Sequence, residues 1–223
     1  MLTLFHHPVC PHSRFARLAL SEYGLPVQLV GEKVWERRAD FLILNPAGTI
    51  PVLVVEGILP APGASIIAEY LDEVYGGDLG NRRLLPRDTS LRIEVRRLTS
   101  WFNDKFFADV SGPVTKERYR QYMPLEAGGG SPDHAVLHEV REILPDHLAY
   151  ISLLLSKHEW LASDQLTYAD LAAAAHLSVA EYLKDMPWPE DGTVKRWYAR
   201  IQSRPSFQSM LTEAWRGFVR QRT

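Results

Sequence analysis

The sequence predicts two domains of different class: an α/β domain of order βαβαββα over residues 1–76, then a linker at 77–88 and an all-helical domain over 89–223. Three observations carry this. Short β-prone runs alternate with helical spacing in the first third of the chain and then stop. The stretch Gly76-Gly77-Asp78-Leu79-Gly80-Asn81-Arg82-Arg83, followed by Pro86, is rich in Gly, Asn and charge and breaks both periods. Beyond it, apolar residues recur at helical spacing only.

Leu2 to His6 opens the chain as a strand, ended by the turn His7-Pro8-Val9-Cys10-Pro11. Ser13 to Tyr23 has a period near 3.6 through Phe15, Leu18, Ala19 and Glu22, and Gly24 stops it. Pro26 to Val30 reads as a second strand, parallel to the first because the two are joined through a helix. Arg37 to Leu44 is a short helix closed by Asn45-Pro46, and Gly48 to Val55 is a loop entering an apolar strand. Ile58-Leu59-Pro60 reads as an edge strand, where Pro is tolerated. Ser65 to Tyr75 completes the domain as a helix with Ile66, Ile67, Tyr70, Leu71 and Val74 on one face.

In the second half, Leu91, Val95, Leu98, Phe102 and Phe106 share one face of a long helix. Residues 124–133 read as a loop, and His134 to His158 as a helix that Pro145 kinks or breaks. Thr167 to Leu183 is apolar nearly all round, which predicts the core helix of its domain. Thr167 and Asp170 have capping-box spacing, with Leu166 and Leu171 at the staple positions. Val194 to Ser203 and a final segment from Ser206 to near the C-terminus are also helical.

Hydrophobic residues make up 46% and charged residues 23% of 223, enough for real cores. The net charge of -2, without a dense Lys/Arg patch, argues against nucleic acid as partner. No apolar run is long enough to span a bilayer, and Met1 to Leu4 lacks a basic leader, so export and membrane insertion are not expected. The single cysteine, Cys10, forbids an internal disulfide and fits a reducing, cytoplasmic setting. His6, His7 and His12 cluster without metal-ligand spacing, so no metal is expected.

Four segments in order resemble the glutathione transferase superfamily, whose N-terminal domain is thioredoxin-like and whose C-terminal domain is helical. They are Asn45-Pro46-Ala47-Gly48-Thr49-Ile50-Pro51-Val52-Leu53, Ser65-Ile66-Ile67-Ala68-Glu69-Tyr70-Leu71, Leu166-Thr167-Tyr168-Ala169-Asp170-Leu171 and Arg204-Pro205-Ser206-Phe207. The resemblance implies a cis bond before Pro51 that sets the Ile50 backbone against the cysteinyl part of glutathione. It implies that Ser65 binds the γ-glutamyl carboxylate at a helix N-terminus. It also implies a homodimer. Cys10-Pro11-His12-Ser13, between the first strand and first helix, is similar to the opening of the cysteine-type transferases. There Cys10 is the thiol nucleophile, favoured by the helix N-terminus and by Arg14 and Arg17. Ser13 is its rival, as a hydroxyl that stabilises a glutathione thiolate.

Ala64 stands where that family usually has Glu or Gln holding the γ-glutamyl group. Losing such a charge-assisted contact costs about 1.5–3 kcal/mol, roughly one to two orders of magnitude in affinity. Two functions follow. One is a glutathione-dependent transferase or thiol transferase acting on a small electrophile or disulfide. The other is a non-catalytic homodimer working through its surface. Val34-Trp35-Glu36-Arg37-Arg38, Trp101 to Phe107 and Gln121-Tyr122-Met123-Pro124 resemble the alphaproteobacterial glutathione-transferase-like division proteins that bind FtsZ. On that reading Trp35 is an exposed anchor with Arg37 and Arg38 at its rim; otherwise Trp35 packs against the first helix. Trp101, Phe102, Phe106 and Phe107 are read as dimer seam and domain core.

Overall fold

The computed structural model describes residues 1–183, 186, 188 and 192–211. A four-stranded sheet of order β2-β1-β3-β4 is built from β1 (Leu2–His6), β2 (Gln28–Gly31), β3 (Val52–Val55) and β4 (Ala61–Pro62). β1 pairs parallel to β2, Thr3 opposite Gln28, and antiparallel to β3, Leu4 opposite Leu53. β4 pairs antiparallel to β3, Val52 opposite Pro62. The edge strand therefore lies just beyond Ile58-Leu59-Pro60, which is a correction: Ile58 and Leu59 are exposed and follow the turn closed by Ile58 N–H on Val55 O. Apolar character alone did not locate the pairing.

α1 (Pro11–Glu22) starts two residues earlier than its spacing suggested, because Pro11 takes the first helical position, where no N–H is needed. It ends in a Schellman motif: Leu25 N–H donates to Leu20 O and Gly24 N–H to Ser21 O, with Gly24 at φ 66°. A 3₁₀ turn, Val34–Glu36, precedes α2 (Ala39–Leu44), and α3 spans Ala64–Tyr75. A short 3₁₀ turn, Gly80–Arg82, follows. Leu84 and Leu85 are buried, and Leu84 O accepts from Tyr168 N–H.

Among the described residues no strand follows β4. α4 (Thr89–Ser100) runs into a π-helical stretch, Trp101–Ser111, and then into α5 (Gly112–Tyr119). Phe102 and Phe106 are fully buried within the chain, so they belong to its own core and not to a seam between subunits. α6 (His134–Leu155) passes through Pro145 without a break. α7 (Tyr168–Tyr182) is buried continuously from Tyr168 to Ala180. α8 (Thr193–Gln202) and α9 (Pro205–Leu211) follow; the expected run of the last helix toward the C-terminus lies outside the described residues.

The two halves share one core. α1 packs on α7, and Tyr23 and Tyr168 join through their hydroxyls at 2.8 Å. Glu22, 11% exposed, takes Arg204 Nε and Nη2 at 2.7 Å and the Ser206 hydroxyl at 2.5 Å. Burial pushes the Glu22 carboxyl up, but Arg204 and Ser206 outweigh it and hold it below its ordinary 4.5. A depressed carboxyl stabilises the fold fully above its unfolded value and loses that stability as the pH falls through the native one. Arg204 is partly solvated, which weakens the pair. Glu22→Gln is therefore expected to cost about 1–2 kcal/mol near neutral pH, with the gap closing below about pH 4. Urea unfolding of both proteins at each pH checks this; an unchanged gap in acid contradicts the assignment.

Candidate functional site

Cys10 is the N-cap residue of α1, in extended conformation, and is half-buried. Three groups converge on it. They are the His12 side chain and the side chain and backbone of Ser13. Burial pushes the Cys10 thiol up, but these groups outweigh it and hold it below its ordinary value. His12 is pushed down by burial and, more strongly, up by Cys10, the Asn103 carbonyl and Asp104, so it lies above its ordinary value. Ser13 is fully buried, and its Oγ accepts from His7 N–H at 3.3 Å. Of the two rivals in the sequence, Cys10 is the more exposed.

The two arginines expected to favour a thiolate are committed elsewhere. Arg14 donates to Pro8 O at 2.7 Å and to Ser178 Oγ at 2.8 Å, with its guanidinium over the Tyr182 ring. Arg17 is buried and acts on His6.

His12 Nε2 lies 2.9 Å from Asn103 O. The Asn103 side chain donates to Ser65 Oγ at 3.4 Å, and its Oδ1 is 3.2 Å from His176 Nε2. Ser111 Oγ lies 2.7 Å from His176 Nδ1. Asn103, in the π-helical stretch, thus joins Cys10 and its histidine to the start of α3. His12 stands beside Cys10 in the sequence, in the first turn of α1, but nothing local announces Asn103 or His176.

The Ile50–Pro51 bond is cis, and Pro51 O accepts from Gly63 N–H at 2.8 Å. Gly63, at φ 93°, leads into α3 with no side-chain cap, and Ser65 is exposed in the first turn. These groups suit the peptide backbone and carboxylate of glutathione. Ala64, 4% exposed and apolar, supplies no acceptor for the γ-glutamyl ammonium, so the fit is incomplete.

Trp35 is less open than the anchor the sequence suggested, and its ring partners lie in α5 and in the turn before α1, not in α1. It is half-buried in the 3₁₀ turn. Its ring stands 5.3 Å from Tyr119 of α5 and 6.4 Å from His7, centroid to centroid. The Tyr119 hydroxyl reaches His7 Nε2 at 2.9 Å. Burial pushes His7 down to about 4, so it is neutral near pH 7. Arg37 is exposed, at φ 44°. Arg38 turns back to the buried Glu32 at 2.7 Å and to Asp40 at 3.3 Å. Aromatic rings therefore bridge the two halves beside Cys10.

The model for the glutathione S-transferase N-terminal domain matches residues 9–74, and that for the C-terminal domain matches residues 132–213. The chain belongs to the glutathione S-transferase family. Within it, the chain is similar to FtsZ-localized protein A of Caulobacter vibrioides, 39% identical over 97% of this chain and 93% of that protein. The solved structure of FzlA from C. crescentus has a TM-score of 0.87 at 39% identity, covering 97% of this chain and 94% of that one. A glutathione S-transferase structure from Sinorhizobium meliloti has a TM-score of 0.94 at 49% identity, covering 97% and 94%. The family dimerises and binds glutathione in general. Among the described residues no helix is long and apolar enough to cross a membrane, and no three His, Cys, Asp or Glu residues gather as a metal site would require.

Proposed function

We propose that this chain is a cytoplasmic, homodimeric glutathione-transferase-fold protein that binds FtsZ and does not depend on glutathione turnover. The observation that carries the reading is the 39% identity to FtsZ-localized protein A along nearly the whole of both chains. Two features of the site support it. Ala64 leaves the γ-glutamyl group short of a partner. His7, Trp35 and Tyr119 occupy the gap between the halves beside Cys10. For the second copy, Ile66 and Val74 of α3 and Ile93 of α4 are more than half exposed, an apolar face suited to association.

The test is co-sedimentation with polymerised FtsZ, beside calorimetric titration with glutathione. The expected result is co-sedimentation, with no measurable heat from glutathione at micromolar concentration. Absence from the FtsZ pellet removes that partner. Tight glutathione binding restores the transferase reading, and a monomeric mass by light scattering removes the dimer.

A second reading is favoured by a separate observation. His12 and Ser13, which hold the Cys10 thiol below its ordinary value, suit a monothiol transferase acting on a small disulfide or electrophile.

A further inference from the structure

The chain between β2 and α2 is closed on itself by a buried carboxylate. Glu32 follows β2 and is 1% exposed. Its N–H donates to His6 O at 2.8 Å, which ties it to the end of β1. Arg38 reaches back across residues 33–37 and donates to Glu32 Oε2 through Nη2 at 2.7 Å and Nε at 3.2 Å. A longer contact, 3.3 Å, joins Arg38 to the exposed Asp40. The Arg38 carbonyl accepts from Leu42 N–H at 3.0 Å, at the start of α2. Residues 32–38 are thus a loop pinned at both ends, with Val34–Glu36 as its 3₁₀ turn. Trp35 sits on that turn and meets Tyr119 across the gap between the halves.

Stability alone does not account for the pair. The Glu32 side chain is wholly withdrawn from water while that of Arg38 is 40% exposed. A buried carboxylate loses hydration that its partner's attraction only roughly offsets, and an apolar side chain of similar size often serves as well. What the pair adds is geometry, because hydrogen bonds from two guanidinium nitrogens fix direction as well as distance. The loop needs such a constraint. Arg37, closing the 3₁₀ turn, holds φ 44°, a left-handed conformation that a side-chain-bearing residue keeps only where its surroundings enforce it. Inside the loop, Glu36 N–H donates to Lys33 O at 2.9 Å and Arg37 N–H to Val34 O at 3.3 Å. The Lys33–Glu36 ion pair is solvent-exposed and adds little.

We propose that Glu32 and Arg38 are positioning residues for the surface that binds FtsZ: their bond holds Trp35 and the exposed Arg37 in the arrangement the partner meets. The inference rests on the FtsZ reading above. It moves Arg38 from the contact surface to the support behind it. Glu32 is buried and offers the partner no surface, so any effect of Glu32 on binding runs through the loop.

The experiment compares the wild type, Glu32→Leu and Glu32→Gln. Each is tested by co-sedimentation over a range of FtsZ concentrations, by urea unfolding, and by hydrogen exchange over residues 33–37. Leucine removes the buried charge and leaves Arg38 to turn to water, so Glu32→Leu is expected to unfold at no lower urea concentration than the wild type. It should nevertheless bind FtsZ about fivefold more weakly, or worse, with faster exchange at the Glu36 and Arg37 amides. Glutamine keeps the shape and one acceptor for Arg38, and should fall between the two; it decides alone where Glu32→Leu does not fold. Folded variants that bind FtsZ as the wild type does overturn the proposal. So does a loss of binding with unchanged exchange over residues 33–37, or one that merely follows a loss of stability. Absence of the wild type from the FtsZ pellet is a different failure: it removes the FtsZ reading, and this inference with it.

Discussion

Replacing Asp170 with alanine is expected to destabilise the protein by about 3–5 kcal/mol, roughly a 10 °C fall in melting temperature. The residue is fully buried and is used on both oxygens. Oδ2 accepts from the Thr167 N–H and hydroxyl, each at 2.9 Å. Oδ1 accepts from Leu161 N–H at 2.9 Å and Trp197 Nε1 at 3.0 Å. Burial pushes the Asp170 carboxyl up against the pull of these donors. Its removal strands two backbone donors and an indole N–H in the core, each costing about 1–3 kcal/mol. Circular dichroism on heating measures the effect. A change of only a degree or two would mean that water satisfies those donors.

The capping box that identifies Asp170 as structural was legible because Thr167 and Asp170 are three residues apart and the bonds are local. The same holds for the Gly24 stop, the Pro51 position and the apolar α7. What was not legible depended on partners distant in sequence. The π-helical turns at Trp101–Ser111 leave no mark on a 3.6 pattern, and they place Asn103 against His12. Ile58 and Leu59 look more strand-like than Ala61 and Pro62, but pairing with β3 selects the latter. Trp35 stood out in the sequence, but its environment is set by Tyr119 of α5, which no local reading could supply. Cys10 stood out by being alone and Ser13 by its place beside it; Asn103, which contacts His12, did not.

Trp35→Ala is expected to weaken FtsZ binding by about 2 kcal/mol or more, roughly thirtyfold. The FtsZ reading makes Trp35 an anchor whose outer face meets the partner while its inner face rests on Tyr119 and His7. Because the ring also bridges the two halves, the substitution should cost about 1–3 kcal/mol of stability as well. Tyr119→Phe separates the effects. It keeps the ring against Trp35 and loses the hydroxyl bond to His7, so it should lower stability slightly and leave FtsZ binding intact. Sedimentation of the three proteins over a range of FtsZ concentrations measures both variants against the wild type. Equal binding by Trp35→Ala and wild type would remove Trp35 as anchor.

The shared core limits how such a chain can be recombined. Glu22 reaches Arg204 and Ser206, Arg14 reaches Ser178, and Tyr168 both caps Ala68 O and meets Tyr23. A chimera that takes residues 1–76 from this protein and its helices from a relative would bury each of those polar groups opposite a stranger. Exchange between family members should therefore succeed only when α1, α3, α7 and the Arg204 turn travel together, which makes these elements one heritable unit despite the stretch of chain between them.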